Sequence, residues 1–360
     1  MNITPLCSVV KFGGSSLANA DNILKAKAII QECPKRSFIV VSAPGKCMGF
    51  PRKITDLLID TYAQMCFKDE CDSCDLVFDR FKKIADDLKV DITDVLERTR
   101  EEVFINKCEY DFIISRGEYL MAVLMARLLG YKFLDAANFV VIKKDGTADI
   151  ESTRRNFSKL DKSGHYVMGG FFGKGTDGNI KTFARGGSDY SGAIAAVCID
   201  ADLYENFTDT YGVQTAHPSM VKNTKTVHEI DYSTLHTLCR GGASVIYPNC
   251  IPLLKSHSMP LQVDCTLDSG KKYTYVTHKK SQNPFFSITY ETRQNINKDT
   301  AEILCVMHKI KFTLSRLREL LFDHEVYLVE FSDNVLRLLS PVTELQKVVN
   351  LLHSELLSHI

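Results

Sequence analysis

The sequence predicts an α/β protein in which helices cover a parallel sheet, followed by a small ferredoxin-like α+β module. Short apolar, branched segments alternate with helically periodic ones over most of the chain, which is the pattern of strand–helix–strand units. After a polar stretch at residues 278–284, the order becomes strand, helix, strand, strand, helix. We therefore expect one domain over residues 1–280 and a second over residues 285–360.

The first domain begins with a strand–helix–strand unit. Residues 8–12 and 37–42 are short apolar runs that end in glycine or proline clusters, and residues 20–33 between them are helically periodic. Residues 54–108 are charged and periodic, which predicts helices laid over the sheet. The further elements expected are strands at 111–115, 133–134, 139–142, 165–172, 203–207 and 252–254, and a helix at 117–129.

The second domain is expected to be one sheet backed by helices. Its predicted elements are strands at 285–290, 326–331 and 335–339, a helix at either 300–309 or 313–321, and a final helix at 343–357. We expect the module to form a homodimer by burying the apolar faces of residues 326–331 and 335–339.

Composition excludes several classes of partner. The chain has 360 residues, a formal net charge of zero and no basic block, so neither nucleic acid nor an anionic membrane is expected to bind. No apolar run approaches the roughly 20 residues of a membrane span, and the first residues lack the pattern of a secretion signal, so we expect a soluble, cytoplasmic protein. The twelve cysteines are scattered and are expected to be reduced. Cys71 and Cys74 share a predicted helix face, and no metal site is expected.

Polar residues cluster where the predicted strands end, which is where parallel sheets bind ligands. The first strand leads into Lys11-Phe-Gly-Gly-Ser-Ser16, where two glycines can present backbone N–H groups to phosphate and Lys11 adds a positive charge. Two other predicted strands end at Ser42-Ala-Pro-Gly-Lys46 and at Ser115-Arg-Gly-Glu118. Gly-Gly pairs also occur in many turns that bind no ligand. The prediction of a phosphate site therefore depends on the polar residues at the neighbouring strand ends.

Residues 181–192 place Arg185 and Asp189 on either side of Gly186-Gly187, at the start of a predicted helix. A guanidinium can hold a carboxylate bidentately, and an aspartate can hold an ammonium, so the pair predicts a site for an α-amino acid. Taken alone, the stretch could equally be a charged helix cap.

Together, and in this order, the motifs resemble those of aspartate kinases, which belong to the amino acid kinase family. The matching segments are K-F-G-G-S-S, V-V-S-A-P-G-K with K-I-T-D-L-L, S-R-G-E-Y-L, K-T-F-A-R-G-G-S-D and T-D-T-Y-G-V. The resemblance covers residues 8 to about 277. This variant of the motifs is similar to that of the clostridial form of the enzyme. It implies a three-layer α/β/α sandwich. It also implies that ATP with Mg²⁺ phosphorylates the β-carboxylate of L-aspartate, the first step toward lysine, threonine and methionine.

The resemblance implies roles for particular residues. Lys11 would neutralise the transferred phosphoryl group, and Arg185 would hold the α-carboxylate of aspartate. Glu118 and Asp189 would hold its ammonium, and Lys11 and Asp189 are the expected catalytic residues. The other residues expected at the phosphate turn and around the amino acid are Gly13, Gly14, Ser15, Ser42, Thr55 and Ser188.

Each of these roles has a structural alternative. Ser42 and Thr55 could be helix caps, and Glu118 could be a first-turn partner of a helix dipole. Two carboxylates and an arginine that converge beside a phosphate turn favour the binding roles.

The expected nucleotide side departs from the family pattern. Thr208, Asp209, Gln214 and the segment His217-Pro218-Ser219 stand where the family binds ATP, but the family's usual segment is Asp-Pro-Arg. Ser244 also stands where many relatives have a lysine. Loss of a charged phosphate contact predicts weaker ATP binding, by about 1.5 to 3 kcal/mol. We expect His217 to be a neutral polar substitute and not a catalytic base.

The C-terminal module resembles a shortened ACT-type regulatory region. Relatives usually carry two such modules, whereas residues 285–360 have length for one and a fragment. The first strand leads into Gln294-Asn-Ile-Asn without a glycine turn for an effector, so inhibition by lysine or threonine is not expected. Two alternatives remain open at this point: an amino acid kinase for a related acid in a specialised pathway, and a degenerate kinase that acts as a binding or regulatory subunit.

Overall fold

A computed structural model describes residues 7–66, 71–184, 186–268, 273–293 and 299–360. These residues form two compact units. The first contains the described residues up to Asp209 together with 259–261 and 265–268, and the second contains 210–258, 262–264 and the described residues from 273 onward. This grouping does not test the boundary expected between residues 280 and 285, which stays a prediction.

The elements alternate between strands and helices for most of the chain. The strands are β1 (Ser8–Phe12), β2 (Arg36–Val41), β3 (Lys132–Leu134), β4 (Val141–Ile142), β5 (Tyr166–Gly169), β6 (Phe172–Gly175), β7 (Ile180–Thr182), β8 (Leu203–Thr208), β9 (Glu229–Asp231), β10 (Leu261–Cys265), β11 (Thr274–Thr277), β12 (Phe285–Arg293), β13 (Thr300–His308), β14 (Tyr327–Phe331) and β15 (Val335–Pro341). The helices are α1 (Ala20–Glu32), α2 (Ile54–Met65), α3 (Asp72–Leu88), α4 (Thr93–Ile105), α5 (Tyr110–Leu129), α6 (Ala136–Phe139), α7 (Ile150–Phe157), α8 (Gly187–Cys198), α9 (Tyr232–Arg240), α10 (Cys250–Ser256), α11 (Leu314–Leu320) and α12 (Val342–Leu357).

The first unit is built on parallel strands in the order β3-β5-β2-β1-β8. Every residue of β1 is buried, and α5 packs on β5 while α8 packs on β1. Strands buried on both faces need helices on both sides, as in the expected α/β/α sandwich. Because these strands run the same way, the residues that follow β1, β2 and β8 meet at one edge of the sheet. A small three-stranded sheet, β4-β6-β7, lies in the same unit.

Helix α1 illustrates how local sequence determines an element. The Asn19 side chain accepts a hydrogen bond from the Asn22 N–H and so caps the helix. Ile23, Ala26 and Ile30, spaced three and four residues apart, form its buried face.

The second unit contains the parallel pair β9 and β11 and an antiparallel sheet in the order β12-β13-β15-β14. Alternate residues of β13, including Ile303 and Cys305, enter a core with Val348 and Leu352 of α12. The antiparallel sheet with α11 and α12 fits an ACT-like module and confirms the expected fold class. No disulfide bond joins any of the twelve cysteines in the described structure. None of the helices in the described part of the chain is long and apolar enough to cross a membrane.

The structure corrects several predicted elements of the first domain. Residues 111–115 are not a strand, since α5 runs without interruption from Tyr110 to Leu129 and buries its apolar run among other helices. The predicted strand at 252–254 lies in helix α10, whose first turn tolerates Pro252 because it needs no N–H donor there. Residues 139–142 contain only the short strand β4, and residues 165–172 are divided between β5 and β6.

The second predicted domain has one strand more than expected. Residues 300–308 form β13 instead of the first helix considered, and alternate residues of this strand, Ala301, Ile303, Cys305 and Met307, enter the core of the module. The other helix considered, at 313–321, is confirmed as α11. The predicted absence of an effector loop at 294–297 concerns positions outside the described residues.

Candidate active site

The ends of β1, β2 and β8 and the start of α8 surround a cavity of about 890 Å³ in the first unit. It brings together most of the residues expected to bind substrate. The predicted residues in its lining are Lys11, Gly13, Gly14, Ser15, Ser42, Thr55, Glu118, Ser188, Asp189, Thr208 and Asp209. Lys46, Lys53 and Asp56 add further charges to the lining. Arg185 lies outside the described residues, so its role stays a prediction.

Lys11 forms an ion pair inside the cavity. Its Nζ lies 2.5 Å from Oδ1 of Asp189, and both side chains are largely buried, with 7% and 16% exposed. Lys11 is held by the central strand β1, and Asp189 by the first turn of α8. The two expected catalytic residues therefore lie in contact.

Close backbone approach requires glycine at position 14 of the turn after β1, where a Cβ would lie 2.8 Å from the Ala43 carbonyl oxygen. The Gly45 N–H donates to the Gly14 carbonyl at 2.7 Å, and a Cβ on Gly45 would lie 2.6 Å from the Gly14 carbonyl carbon. The Gly13 N–H already donates to the Phe207 carbonyl at 3.1 Å. This amide is therefore occupied in the structure, and the phosphate role expected for it stays a prediction.

Gly186 allows α8 to begin at the cavity. It caps the helix with a left-handed backbone, φ +83°, which favours glycine. The following turn carries Ser188 and Asp189 and presents the positive end of the helix dipole. The left-handed Gly186 thus lets the helix begin at a place where an anion would be stabilised.

Glu118 is a buried carboxylate of α5 with 4% of its surface exposed. Burial raises its pKa to about 8, although a backbone hydrogen bond from Ala43 opposes the shift. Its Oε2 has no hydrogen-bond partner among the described residues. A buried carboxylate that lacks a cation is suited to receive one from a ligand.

Ser42 and Thr55 reach the cavity from opposite ends of one loop. The Ser42 N–H donates to the Phe12 carbonyl at 3.1 Å, which fixes the residue just after β2. Thr55 lies in the first turn of α2, whose N-cap residue Lys53 makes no side-chain capping bond. Neither Ser42 nor Thr55 is therefore the side-chain cap of α2, which favours the substrate roles expected for them.

Phe171 lines the cavity but was not among the predicted site residues. It has a left-handed backbone, φ +73°, which is unusual for a residue with a bulky side chain. Its N–H donates to Ser191 Oγ at 2.9 Å, and its carbonyl accepts from the Phe183 N–H at 2.8 Å. The Gly169-Gly170 pair before it marks a turn, but no sequence pattern identifies its backbone conformation.

The second unit has its own cavity of about 250 Å³, which includes Gln214, His217 and Pro218 of the expected nucleotide segment. Thr210 and Thr289 also line it, and the hydroxyl of each is buried without a hydrogen-bond partner in the described structure. Buried hydroxyls of this kind are normally satisfied, so a ligand with polar atoms would complete the cavity.

His217 and Ser219 bind each other. The Ser219 N–H donates to Nδ1 of His217 at 3.2 Å, and the Ser219 hydroxyl lies 2.6 Å from the same nitrogen. Nδ1 of His217 is thus occupied by Ser219, and the expected role of His217 as a neutral polar substitute stays a prediction. Ser219 is not part of the cavity lining, and its nucleotide role stays a prediction.

The expected nucleotide segment is hydrogen-bonded to the ACT-like module within the second unit. The Ile288 N–H donates to the Thr215 carbonyl at 2.9 Å, and the Ser287 hydroxyl donates to the Gln214 carbonyl at 2.7 Å. Nε2 of the buried His353, on α12, lies 2.8 Å from the Thr215 hydroxyl. Strand β12 and helix α12 therefore hold the backbone on which Gln214 lies.

Comparison with known proteins places the chain in a family. The family model described as "Amino acid kinase family" matches residues 7–263. Aspartokinase 3 of Bacillus subtilis (strain 168) is 33% identical over 305 residues, which cover 79% of this chain and 67% of that protein. The bifunctional aspartokinase/homoserine dehydrogenase of Buchnera aphidicola is 29% identical, and the alignment spans 72% of this chain but 35% of that longer protein.

Solved structures share the fold. The aspartate kinase of Clostridium acetobutylicum aligns with a TM-score of 0.82 and 24% identity, covering 98% of this chain and 100% of that chain. Escherichia coli aspartokinase III in complex with aspartate and ADP aligns with a TM-score of 0.81 and 18% identity, also over 98% and 100%. The family match over most of the chain, with the similarity to the Bacillus enzyme, means that this chain belongs to the amino acid kinase family and, within it, to the aspartokinases.

Proposed function

We propose that the chain transfers the γ-phosphoryl group of ATP, bound with Mg²⁺, to the β-carboxylate of L-aspartate. The product is 4-phospho-L-aspartate, and the reaction begins the synthesis of amino acids derived from aspartate. The observation that carries the proposal is the Lys11–Asp189 ion pair, which shares a cavity with the buried Glu118. The complex of E. coli aspartokinase III with aspartate and ADP supports the choice of substrates.

The main task of such a site is to offset the repulsion between two anionic substrates. A carboxylate is already a nucleophile at neutral pH, so the reaction needs no general base, and the barrier lies in bringing two anions together. Lys11 would stabilise the charge on the transferred phosphoryl group. Asp189 would hold Lys11 and accept a further hydrogen bond from the ammonium of aspartate, since a carboxylate accepts several.

Substrate selection would come from opposite charges around the amino acid. Arg185 would hold the α-carboxylate. Glu118, with its carboxyl group ionised, would bind the ammonium. Ser42, Thr55 and Ser188 would supply neutral hydrogen bonds. A substrate without a free ammonium would leave Glu118 unpaired and would be disfavoured.

Mg²⁺ would be held chiefly by the nucleotide. Among the described residues no three His, Cys, Asp or Glu side chains converge as a metal site. Mg²⁺ commonly takes only one or two protein carboxylates besides substrate phosphates, so this arrangement fits the ion. Asp209, at the end of β8, is the carboxylate that we propose beside it. When bound, Mg²⁺ would neutralise part of the phosphate charge.

We also propose a homodimer formed through the edge strand β14. Tyr327, Leu328 and Val329 of this strand are exposed by 64%, 47% and 54%. In contrast, Leu336 and Leu338 of β15 are already buried in the core of the module. Strand β14 is therefore the part of the predicted dimer surface that remains available.

A hydroxamate assay tests the proposed reaction. The purified chain is incubated with ATP, Mg²⁺, hydroxylamine and each of several acidic amino acids, because an acyl phosphate reacts with hydroxylamine to give a coloured hydroxamate. L-Aspartate should give the largest signal. Lys11→Ala should abolish the signal, and Lys25→Ala, at an exposed position of α1, should retain it. A larger signal with another acid would identify a different substrate, and no signal with any acid would contradict the kinase activity.

A further inference from the structure

Arg80, on α3, is a fully buried arginine, with 0% of its surface exposed. Its Nη1 donates to the Arg52 carbonyl at 2.9 Å, and its Nη2 donates to the Ala18 carbonyl at 2.9 Å and to the Gly45 carbonyl. The guanidinium carbon also lies 4.8 Å from the centre of the Phe50 ring. Three main-chain carbonyls and one aromatic face thus surround a single cation.

These carbonyls belong to two turns that line the first-unit cavity. Ala18 ends the short 3₁₀ turn that follows the Gly-Gly turn after β1. Gly45 and Arg52 lie at the two ends of the loop after β2, whose tip is closed by mutual hydrogen bonds between Cys47 and Phe50 at 3.0 and 3.1 Å. One guanidinium therefore joins the turn after β1 to both ends of the loop after β2.

The two turns also touch directly. The Gly45 residue that accepts from Arg80 donates its own N–H to the Gly14 carbonyl. The loop carries Lys46 into the cavity and leads to Lys53 and Thr55 beyond its far end. A shift of the loop would therefore move residues on the expected amino acid side relative to the turn on the expected phosphate side.

Filling space in the core does not require an arginine at this position. Arg80 forms no ion pair with a carboxylate among the described residues, and burial of an unpaired charge is costly. An apolar side chain of similar length would fill the volume without that cost. A guanidinium presents its N–H donors from separate nitrogens in a rigid plane, so Nη1 and Nη2 of Arg80 can hold three carbonyls at fixed positions.

We propose that Arg80 is a positioning residue that fixes the turn after β1 relative to the loop after β2, and so aligns the two substrates. This inference rests on the proposed aspartokinase function. Its expected signature is a loss of turnover with little loss of substrate affinity, because each turn would still bind its own substrate while their relative placement is relaxed.

The kinetic test uses Arg80→Met, which retains bulk, and Arg80→Lys, which retains charge but not the fork. We expect kcat per folded molecule to fall about tenfold to a hundredfold in Arg80→Met, with both KM values within about threefold of wild type. The kcat of Arg80→Lys should lie between those of the wild type and Arg80→Met. In Arg80→Ala, low millimolar guanidinium should restore part of kcat, whereas sodium at the same concentration should not.

Arg36→Met is the matched control. Arg36 is a largely buried arginine that forms a bidentate pair with Glu205, and it lies at the start of β2, at the other end of the strand from the cavity. Its loss should lower the melting temperature but leave kcat per folded molecule unchanged. If Arg80→Met also changes only the melting temperature, Arg80 stabilises the fold and the positioning role is wrong.

Hydrogen exchange of the main chain gives a test that does not depend on activity. Arg80→Met should speed exchange in peptides covering residues 13–18 and 43–53, and Arg36→Met should not. Unchanged exchange in both peptides would overturn the proposal even if the wild-type chain proved inactive. An inactive wild type with faster exchange in Arg80→Met would instead count against the proposed function alone. If Arg80→Met is recovered only as aggregate, Arg80→Lys takes its place in both measurements.

Discussion

Binding of aspartate should release a proton from Glu118. The buried carboxyl has a pKa raised to about 8, mainly by desolvation. At pH 7, a group with a pKa of about 8 is protonated in roughly nine-tenths of molecules. The ammonium of a bound substrate would favour the ionised form, so binding at pH 7 should release about 0.8 to 0.9 protons per site.

The same linkage sets how affinity changes with pH. For a pKa of about 8, the ionised fraction rises from about 0.09 at pH 7 to about 0.5 at pH 8, so the apparent aspartate Kd should fall about fivefold over this interval. The folding stability of the free chain should change with pH in the opposite direction, falling as pH rises. A carboxyl whose folded-state pKa is raised stabilises the fold fully below about pH 4.5, and this contribution is lost as pH rises toward 8.

Isothermal titration calorimetry at pH 7 measures the released protons. Aspartate is titrated in phosphate and in Tris, which have different ionisation enthalpies, and the dependence of the observed heat on buffer gives the proton number. Glu118→Gln keeps the shape of the side chain and should reduce the number to near zero, with weaker binding. A wild-type value near zero, or the same value in Glu118→Gln, would refute the assignment of Glu118 to the ammonium.

Four further outcomes are expected. Lys11→Ala should lower turnover at least about a hundredfold while aspartate still binds by calorimetry, and turnover like that of the wild type would remove Lys11 from the mechanism. Arg185→Ala should raise the apparent KM for aspartate strongly and leave that for ATP nearly unchanged, so equal losses would place Arg185 elsewhere. Ser219→Arg should tighten ATP binding through a new phosphate contact, and an unchanged nucleotide Kd would mean that the segment points away from the phosphates. Millimolar lysine or threonine should change activity less than about twofold while sizing reports a dimer; strong inhibition contradicts the first expectation and a monomer at micromolar concentration the second.

Sequence reasoning was most successful where a local pattern determines the structure. The apolar runs at β1 and β2 and the Gly186-Gly187 turn could be predicted because burial and backbone conformation leave direct marks on residue type. Helix α5 was misassigned over residues 111–115 because a short apolar run is compatible with either a strand or a buried helix. Arg80 could not be identified, because the carbonyls that it binds come from distant segments and carbonyls leave no mark on the sequence.

The hydrogen bonds between residues 214–215 and the ACT-like module determine what would follow if the C-terminal tail were removed. If the chain ended before β12, the Gln214 and Thr215 carbonyls would lose the donors that Ser287 and Ile288 supply, and the Thr215 hydroxyl would lose His353. If the tail binds no regulator, as we expect, it would still be needed, because the expected nucleotide segment is hydrogen-bonded to it. Trimming or exchanging the tail should accordingly impair ATP binding first, before any question of feedback control arises.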